Sequence, residues 1–463
     1  MMRVLRIAAA VAILTIAVPC APVVSALDLR EKVDPLARPL VDDGLVVGLA
    51  IGILKDGQTQ FIAYGETTKG SGTVPTADTI YEIGSISKVF TGTLLADMVE
   101  RGKVQLSDPI QQYVPAGIKV PMFDDKPITI ENLATHTSGL PRLPKNLNPA
   151  DAKNPYADYT VEQMYAFLAR HKLRRAPGEY EYSNYGMGLL GQLLAARADT
   201  TYAQLLAQRI TQPLGMSDTV LELSDQQRSR LAPPYNAALA AEHTWDIPTL
   251  AGAGAIRSTV ADMLRFAEAN LAADDDRKDE LPLARAMRLA QQKRFDIKGG
   301  LAIGLGWHIA RDRFTRWHNG MTGGYASWLA VVPGHGIGVV VLSNTATERI
   351  TQLGEQITRV AVGSEVKPPP RPATVEVDPA VLASYAGNYT ILPGFGLTVT
   401  VEDGRLMVQA TGQDTVRVLA RSKTEFFYTV VDAQITFVPG EDGKVTKLIL
   451  HQNGLDLDAM RVP

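Results

Sequence analysis

Cysteine is nearly absent from this chain: Cys20 is the only one among 463 residues. It lies in an N-terminal segment with the marks of an export signal. Arg3 and Arg6 form a short basic region, an apolar run follows from Ile7 to Val18, and Val24-Ser25-Ala26 suits a signal peptidase. The run is too short to remain as a membrane-spanning helix. Cleavage after Ala26 therefore predicts a periplasmic or secreted protein without stable membrane insertion. A lipid anchor at Cys20 is disfavoured, because Val18-Pro19 lacks the small residue expected before a lipidated cysteine. The mature chain would hold no thiol. That excludes a cysteine nucleophile, a disulfide framework and a thiolate metal site, and leaves stability to a large packed core.

Other absences narrow the field. There is no long basic run, and the net charge of −3 falls to near −5 once Arg3 and Arg6 are removed, which argues against a nucleic-acid partner. None of the seven histidines shows metal-ligand spacing, so no metal or other cofactor is expected. No internal repeat or low-complexity tract interrupts the chain.

What is present is an ordinary globular composition, 46% hydrophobic and 21% charged, over a length that suits two or three domains. Val46 to Leu54, then Asp56-Gly57, then Phe61 to Tyr64 reads as a hairpin. Gly186–Ala196 and Val260–Leu271 read as helices. Ser327–Pro333 and Gly336–Leu342 read as strands, followed by a helix from Ile350 to Ala361. Strands at both ends with helices between predict an α+β architecture whose terminal strands complete one antiparallel sheet. Lys367-Pro368-Pro369-Pro370-Arg371-Pro372 is a stiff linker. Beyond it, Leu397–Val401, Arg405–Gln409, Glu425–Val430, Gln434–Val438 and Val445–Leu450 read as short strands, with Asp403-Gly404 and Asp442-Gly443 as turns. The division predicted is a signal peptide at 1–26, a hydrolase domain at 27–365, a linker at 366–377 and a small all-β, barrel-like domain at 378–463.

The segment Tyr81-Glu82-Ile83-Gly84-Ser85-Ile86-Ser87-Lys88 carries the chemistry. Ser85 stands at the start of a helix marked by Val89, Phe90, Leu94, Leu95 and Met98, and residues three apart share a helix face. Lys88 can thus reach the Ser85 hydroxyl, and a buried amine of lowered pKa can take its proton. Read alone, the pair is equally an N-cap serine and a solvated lysine. Tyr182-Ser183-Asn184 follows the turn Ala176-Pro177-Gly178. Tyr182 could serve as base or proton shuttle if neighbouring cations lower its pKa, and the Asn184 amide could orient a substrate carbonyl and hydrogen-bond Lys88. His318-Asn319-Gly320-Met321-Thr322-Gly323-Gly324-Tyr325 leads into the Ser327 strand. A glycine-rich edge strand leaves room for a substrate backbone, and its N–H groups, with that of Ser85, could hold an oxyanion. His318 would offer a substrate carboxylate a hydrogen bond, or a positive charge when protonated. Leu133 to Leu140 reads as a structural turn with a buried His136.

In this order and spacing the motifs resemble the penicillin-recognising serine enzymes, which share a Ser-x-x-Lys nucleophile motif. Residues 81–88, Lys88-Val89-Phe90-Thr91-Gly92, Leu106-Ser107-Asp108-Pro109, Gln212-Pro213-Leu214-Gly215-Met216 and the His318 segment are similar to the class C β-lactamase branch. Lys126 to Ser138 also resembles its D-alanyl-D-alanine carboxypeptidase/endopeptidase relatives. The resemblance implies an antiparallel sheet flanked by helices beside an all-helical region, followed here by a lipocalin-like β domain. It implies Ser85, Lys88 and Tyr182 as catalytic residues, and Asn184, His318, Asn319, Gly320 and Met321 as substrate-binding residues. Whether Lys88 or Tyr182 is the acylation base stays open. The implied substrate is a β-lactam, with a D-Ala-D-Ala peptide of peptidoglycan as the alternative. His318 and Asn319 depart from the usual lysine and hydroxyl residue, which weakens the case for β-lactam recognition, although Asn319 keeps an amide donor. No residue near Arg142 matches the side chain that flanks bound substrate in the family. A catalytically silent wall-binding protein is the remaining alternative.

Overall fold

The computed structural model describes residues 28–272, 281–368, 374–402, 404–413, 415–428, 433–440, 443–452 and 454–462. The signal segment, Cys20, residues 369–373 of the linker, Asp403 and Asp442 lie outside the described residues.

The first unit is built on an eight-stranded antiparallel sheet. Its strands are β1 (Gly48–Lys55), β2 (Gln58–Gly65), β3 (Phe295–Asp296), β4 (Ala302–Ile303), β5 (His308–Ile309), β6 (Arg316–Met321), β7 (Ala326–Val332) and β8 (Ile337–Ser343). Their spatial order is β2-β1-β8-β7-β6-β5-β4-β3, so the first strand pairs with the last, from Leu49 opposite Ser343 to Lys55 opposite Ile337. Asp56 and Gly57, both at positive φ, close the first hairpin as the Asp-Gly pair predicts. β7 and β8 are buried at every residue and β1 at all but the last, which explains their continuous apolar runs. On one face, Leu49, Ile51, Ile53 and Trp328 pack against helices α1 (Arg30–Asp42) and α5 (Arg349–Val362). On the other face lie α2 (Ser87–Glu100), α4 (Val260–Ala272) and the helical region that includes α3 (Asn184–Arg197).

α2 is the centre of this unit. Every residue from Ser87 to Met98 is buried, so it is an interior helix rather than an amphipathic one. Phe90 stacks on Phe266 of α4 at 4.1 Å between ring centroids. At Gly92 a β-carbon would sit 1.9 Å from the Leu305 carbonyl oxygen, so only glycine lets the Gly304–Trp307 loop lie against α2.

The second unit is a closed barrel of eight antiparallel strands, β9 to β16: Gly387–Leu392, Phe395–Glu402, Arg405–Ala410, Thr415–Ala420, Glu425–Tyr428, Ala433–Pro439, Val445–Gln452 and Leu455–Val462. The five strands expected are present, and the first, fourth and last are additions. Helix α6 (Pro379–Tyr385), capped by Asp378, was also not expected. Its Leu382 and Tyr385 join the barrel core: Tyr385 stacks on Phe437 at 4.1 Å and meets Phe426 edge-on. Among the described residues, no helix is long and apolar enough to cross a membrane.

Candidate active site

Ser85 sits in a short 3₁₀ turn, Gly84–Ile86, that runs directly into α2. Gly84 takes φ +50°, and a β-carbon there would lie 2.8 Å from the Met321 nitrogen, so the turn docks against the end of β6. Gly320 makes the same docking possible: its β-carbon would fall 2.0 Å from the Ile83 oxygen. Ser85 and the Met321 backbone therefore face one small cleft, walled by Tyr156, Asn184, Trp245, Ile247 and Thr322.

Lys88 Nζ lies 2.9 Å from Ser85 Oγ and donates to the Ala253 carbonyl at 2.7 Å. Its side chain is fully buried, and that burial, reinforced by the charge of Arg142, holds the amine well below its ordinary pKa. A neutral amine with one N–H on Ala253 has a lone pair to offer Ser85. Ser87, the other serine of the segment, is structural, since its Oγ accepts a hydrogen bond from the Ile256 N–H.

Tyr182 sits over this pair, with Lys88 Nζ 4.9 Å and Arg142 Cζ 5.1 Å from its ring centroid. Its pKa is raised, not lowered. Burial outweighs both the hydrogen bond to Ser85 and the Arg142 charge, so the phenol keeps its proton. Asn184 opens α3, where Ser183 is the N-cap. The expected bond from Asn184 to Lys88 is absent: the buried Asn184 Oδ1 has no partner, while Lys88 is directed at Ser85 and Ala253.

The third motif departs further from expectation. β6 is an inner strand for Arg316 and Trp317, which pair with the two-residue β5, and becomes an edge only from His318 to Met321. His318 is 1% exposed, and burial first, then the fields of His308 and Lys88, hold its pKa well below the usual value. Its Nδ1 lies 2.6 Å from the Asn319 carbonyl oxygen, which can only accept, so the proton of the neutral ring is on Nδ1. What remains at Nε2 is an unpartnered lone pair. His318 therefore presents no charge and no donor to a carboxylate. Asn319 points to the opposite face of the sheet, as strand alternation requires, and its amide donates to Thr351 of α5 at 3.0 Å. The amide contact to substrate expected of it is not made available.

His136 is buried, as expected, and its Nδ1 accepts from the Ser183 N–H at 3.1 Å. Its ring lies 4.4 Å from that of Tyr182. His308 was not singled out from sequence. It stacks on Trp317 at 4.7 Å and meets His318 at 4.9 Å, and burial lowers its pKa to about 4. Among the described residues, no group of His, Cys, Asp or Glu is arranged to hold a metal ion. Glu82, whose Oε1 accepts from the Trp245 N–H at 2.8 Å and from Arg257, anchors the Trp245 wall; burial raises its pKa to about 7. Tyr156 and Trp245 left no local signal, because loops distant in sequence bring them together at 5.3 Å.

The Beta-lactamase family model matches residues 33–361, and a model described as Domain of unknown function (DUF3471) matches residues 371–461. The chain is 33% identical over 347 residues to the D-alanyl-D-alanine-carboxypeptidase/endopeptidase AmpH of Escherichia coli K12, covering 71% of this chain and 87% of that one. It is 29% identical over 353 residues to a Beta-lactamase of Pseudomonas fluorescens, covering 69% and 94%. The crystal structure of a Beta-lactamase/D-alanine carboxypeptidase from Yersinia pestis complexed with citrate superposes with a TM-score of 0.63 at 28% identity, over 72% of this chain and 97% of that one. Its counterpart from Pseudomonas syringae, at 24% identity and a TM-score of 0.61, shares the fold. The Ser85–Lys88 pair on a buried helix, the sheet in which the unit's first strand pairs with its last, and these likenesses agree: the chain belongs to the Beta-lactamase family of serine enzymes.

Proposed function

We propose that this protein is an exported serine hydrolase that cleaves amides through an acyl-enzyme on Ser85, with D-alanyl-D-alanine peptides as its first substrate class. The observation that carries the reading is the Lys88 amine, fully buried and held well below its ordinary pKa, 2.9 Å from Ser85 Oγ. Lys88 takes the hydroxyl proton as Ser85 attacks the carbonyl, and the backbone N–H groups of Ser85 and Met321 receive the oxyanion. The C–N bond breaks as the leaving nitrogen gains a proton from the Lys88 ammonium, relayed by the Tyr182 phenol. Water then attacks the ester carbonyl, giving a proton to the same pair; the acyl C–O bond breaks as that proton passes to Ser85 Oγ, which releases the acid and restores the hydroxyl and the Lys88 base. Asn184, with a free Oδ1, accepts from a substrate N–H and so orients it beside the nucleophile. The protonated state of Tyr182 favours Lys88 over Tyr182 as the acylation base.

His318 offers only a lone pair and Asn319 is directed away from the cleft, so neither reads a substrate carboxylate on a peptide or on a β-lactam; the preference for peptides rests on the likeness to AmpH. The AmpH relative carries a carboxypeptidase/endopeptidase name at 33% identity. The second reading is a β-lactamase of class C type, favoured by the nucleophile segment from Tyr81 to Lys88 and the Beta-lactamase of P. fluorescens. In this proposal residues 1–26 direct export to the periplasm or medium, 27–365 form the enzyme and 378–463 a barrel tethered by the 366–377 linker. Turnover of a chromogenic cephalosporin is measured beside release of D-alanine from a muropeptide. D-alanine release with slow cephalosporin turnover is the expected result. Fast cephalosporin turnover without D-alanine release establishes the β-lactamase reading instead, and activity that survives in Ser85→Ala removes both.

A further inference from the structure

On the reading that this site is an acyl hydrolase, we propose that Arg142 is the residue that recognises a substrate carboxylate. The substrates at issue are acidic, and the residues that sequence assigned to the acid group are unavailable. Lys88 is buried and committed to Ser85 and Ala253. His318 directs a lone pair, which repels a carboxylate oxygen, and the Asn319 amide is bonded to Thr351 on the far side of the sheet.

Arg142 has the properties these groups lack. It is exposed at the mouth of the cleft, with its guanidinium carbon 5.1 Å from the Tyr182 ring centroid. Its backbone is fixed at the head of α3, where its carbonyl accepts from the N–H groups of Asn184 at 3.0 Å and Tyr185 at 3.1 Å. The residue is thus placed by the same helix start that places Asn184. Its charge bears on Lys88, Tyr156, Tyr180 and Tyr182, so it faces the reacting centre and the Tyr156 wall together. No ion pair among the described residues engages it, and stacking on a ring face leaves the five N–H donors at the guanidinium edge open. A planar fork of donors with a permanent charge is the group best matched to a carboxylate. The cation thereby stands beside the start of α3, over the Tyr182 ring.

The test compares the full chain with Arg142→Gln and Arg142→Lys on substrate pairs that differ in one carboxylate. The pairs are D-alanyl-D-alanine peptides with a free C-terminus or a carboxamide, the same peptides with a succinyl or an acetyl cap, and a cephalosporin acid or its methyl ester. For each pair the readout is the acidic-to-neutral ratio of kcat/KM. Arg142→Gln is expected to lower that ratio about tenfold or more in at least one pair, with Arg142→Lys between it and wild type. The pair that responds identifies which end of the substrate carries the acid. The wild-type ratio should stay level from about pH 6 to 9, since arginine holds its charge where a histidine would lose it. Ratios unchanged in Arg142→Gln overturn the assignment while leaving the acyl-hydrolase reading intact. Wild type that turns over no member of any pair overturns both. Should Arg142→Gln fail to fold, the wild-type ratio decides: it falls as salt rises from about 0.05 to 0.5 M if Arg142 reads the acid, and a flat response overturns the proposal.

Discussion

The two units of this chain bury very different things. The sheet-and-helix unit encloses Lys88, His136, His318, Glu82 and Arg257 among its apolar residues, and several of their polar atoms, such as His136 Nε2, His318 Nε2 and Glu82 Oε2, have no partner. The barrel interior is apolar and aromatic, and its hydroxyls are satisfied: Tyr385 donates to the Lys423 carbonyl at 3.0 Å and Tyr389 to the Tyr385 carbonyl at 2.8 Å. An unpartnered buried polar atom costs about 1–3 kcal/mol, and a fold carries such costs where a site needs reactive groups. The contrast separates a unit shaped for chemistry from one shaped for stability. Among the barrel's described residues, the one side chain with such an atom is Arg417, and it reaches the first unit, donating to the Asp43 carbonyl at 3.2 Å.

The largest effect belongs to the chemical unit. Ser85→Ala and Lys88→Ala should each reduce acyl-enzyme turnover by on the order of 10⁴-fold or more, while the unfolding transition of the barrel stays in place; steady-state kinetics beside calorimetry checks both. Tyr385→Ala is the converse. Emptying the aromatic stack should destabilise the barrel by about 3–5 kcal/mol, read by denaturant unfolding, with kcat/KM on a small amide held near wild type. A proportional loss of turnover would erase the contrast by showing that the barrel shapes the cleft. Removal of the chain from Lys367 onward should likewise spare small-substrate hydrolysis.

Acid should strike the first unit selectively. His308, held at about 4 against an ordinary value near 6.5, binds its proton less readily folded than unfolded. Its contribution is fully present above about pH 6.5 and is lost as pH falls toward 4, by about 3 kcal/mol in all. His308→Gln should be spared this loss, so its unfolding free energy should fall more slowly than that of wild type across the window; parallel slopes would show that His308 does not report the burial of this cluster. Glu82, raised to about 7, acts in the opposite sense in both proteins and cancels from the comparison. The smallest effect is at the contact between the units: Arg417→Ala should cost less than about 1 kcal/mol and leave kinetics unchanged, checked by calorimetry.

Much of this could be read from residue order. The Ser85–Lys88 pair, the Asp56-Gly57 hairpin and α3 follow from local spacing and turn chemistry, and the presence of strands at both ends of the unit predicts one antiparallel sheet, in which β1 pairs with β8. The misses share a cause. The direction of Asn319 follows from strand alternation, and the His318 tautomer from one backbone carbonyl 2.6 Å away, neither of which appears in a residue's identity. Tyr182 seemed set for a lowered pKa because its cationic neighbours could be guessed, whereas its burial could not. In the barrel, Leu455–Val462 is not among the strands expected, although Leu455-Asp456-Leu457-Asp458 alternates; it closes the barrel by pairing with Gly387–Leu392 along one edge and Val445–Gln452 along the other.

The short β5 strand has a consequence for self-association. Pairing only with Arg316 and Trp317, it leaves His318 to Met321 without a neighbour on that side, and an open edge is a template for any extended chain, including another copy of this one. The exposure is brief. It ends at one side where Trp317 pairs with His308, and at the other where Trp245 and Pro234 crowd Gly323 and Gly324. Four rungs between two bulky stops admit a short peptide and deny a second sheet, so the enzyme can keep an edge unpaired without inviting aggregation.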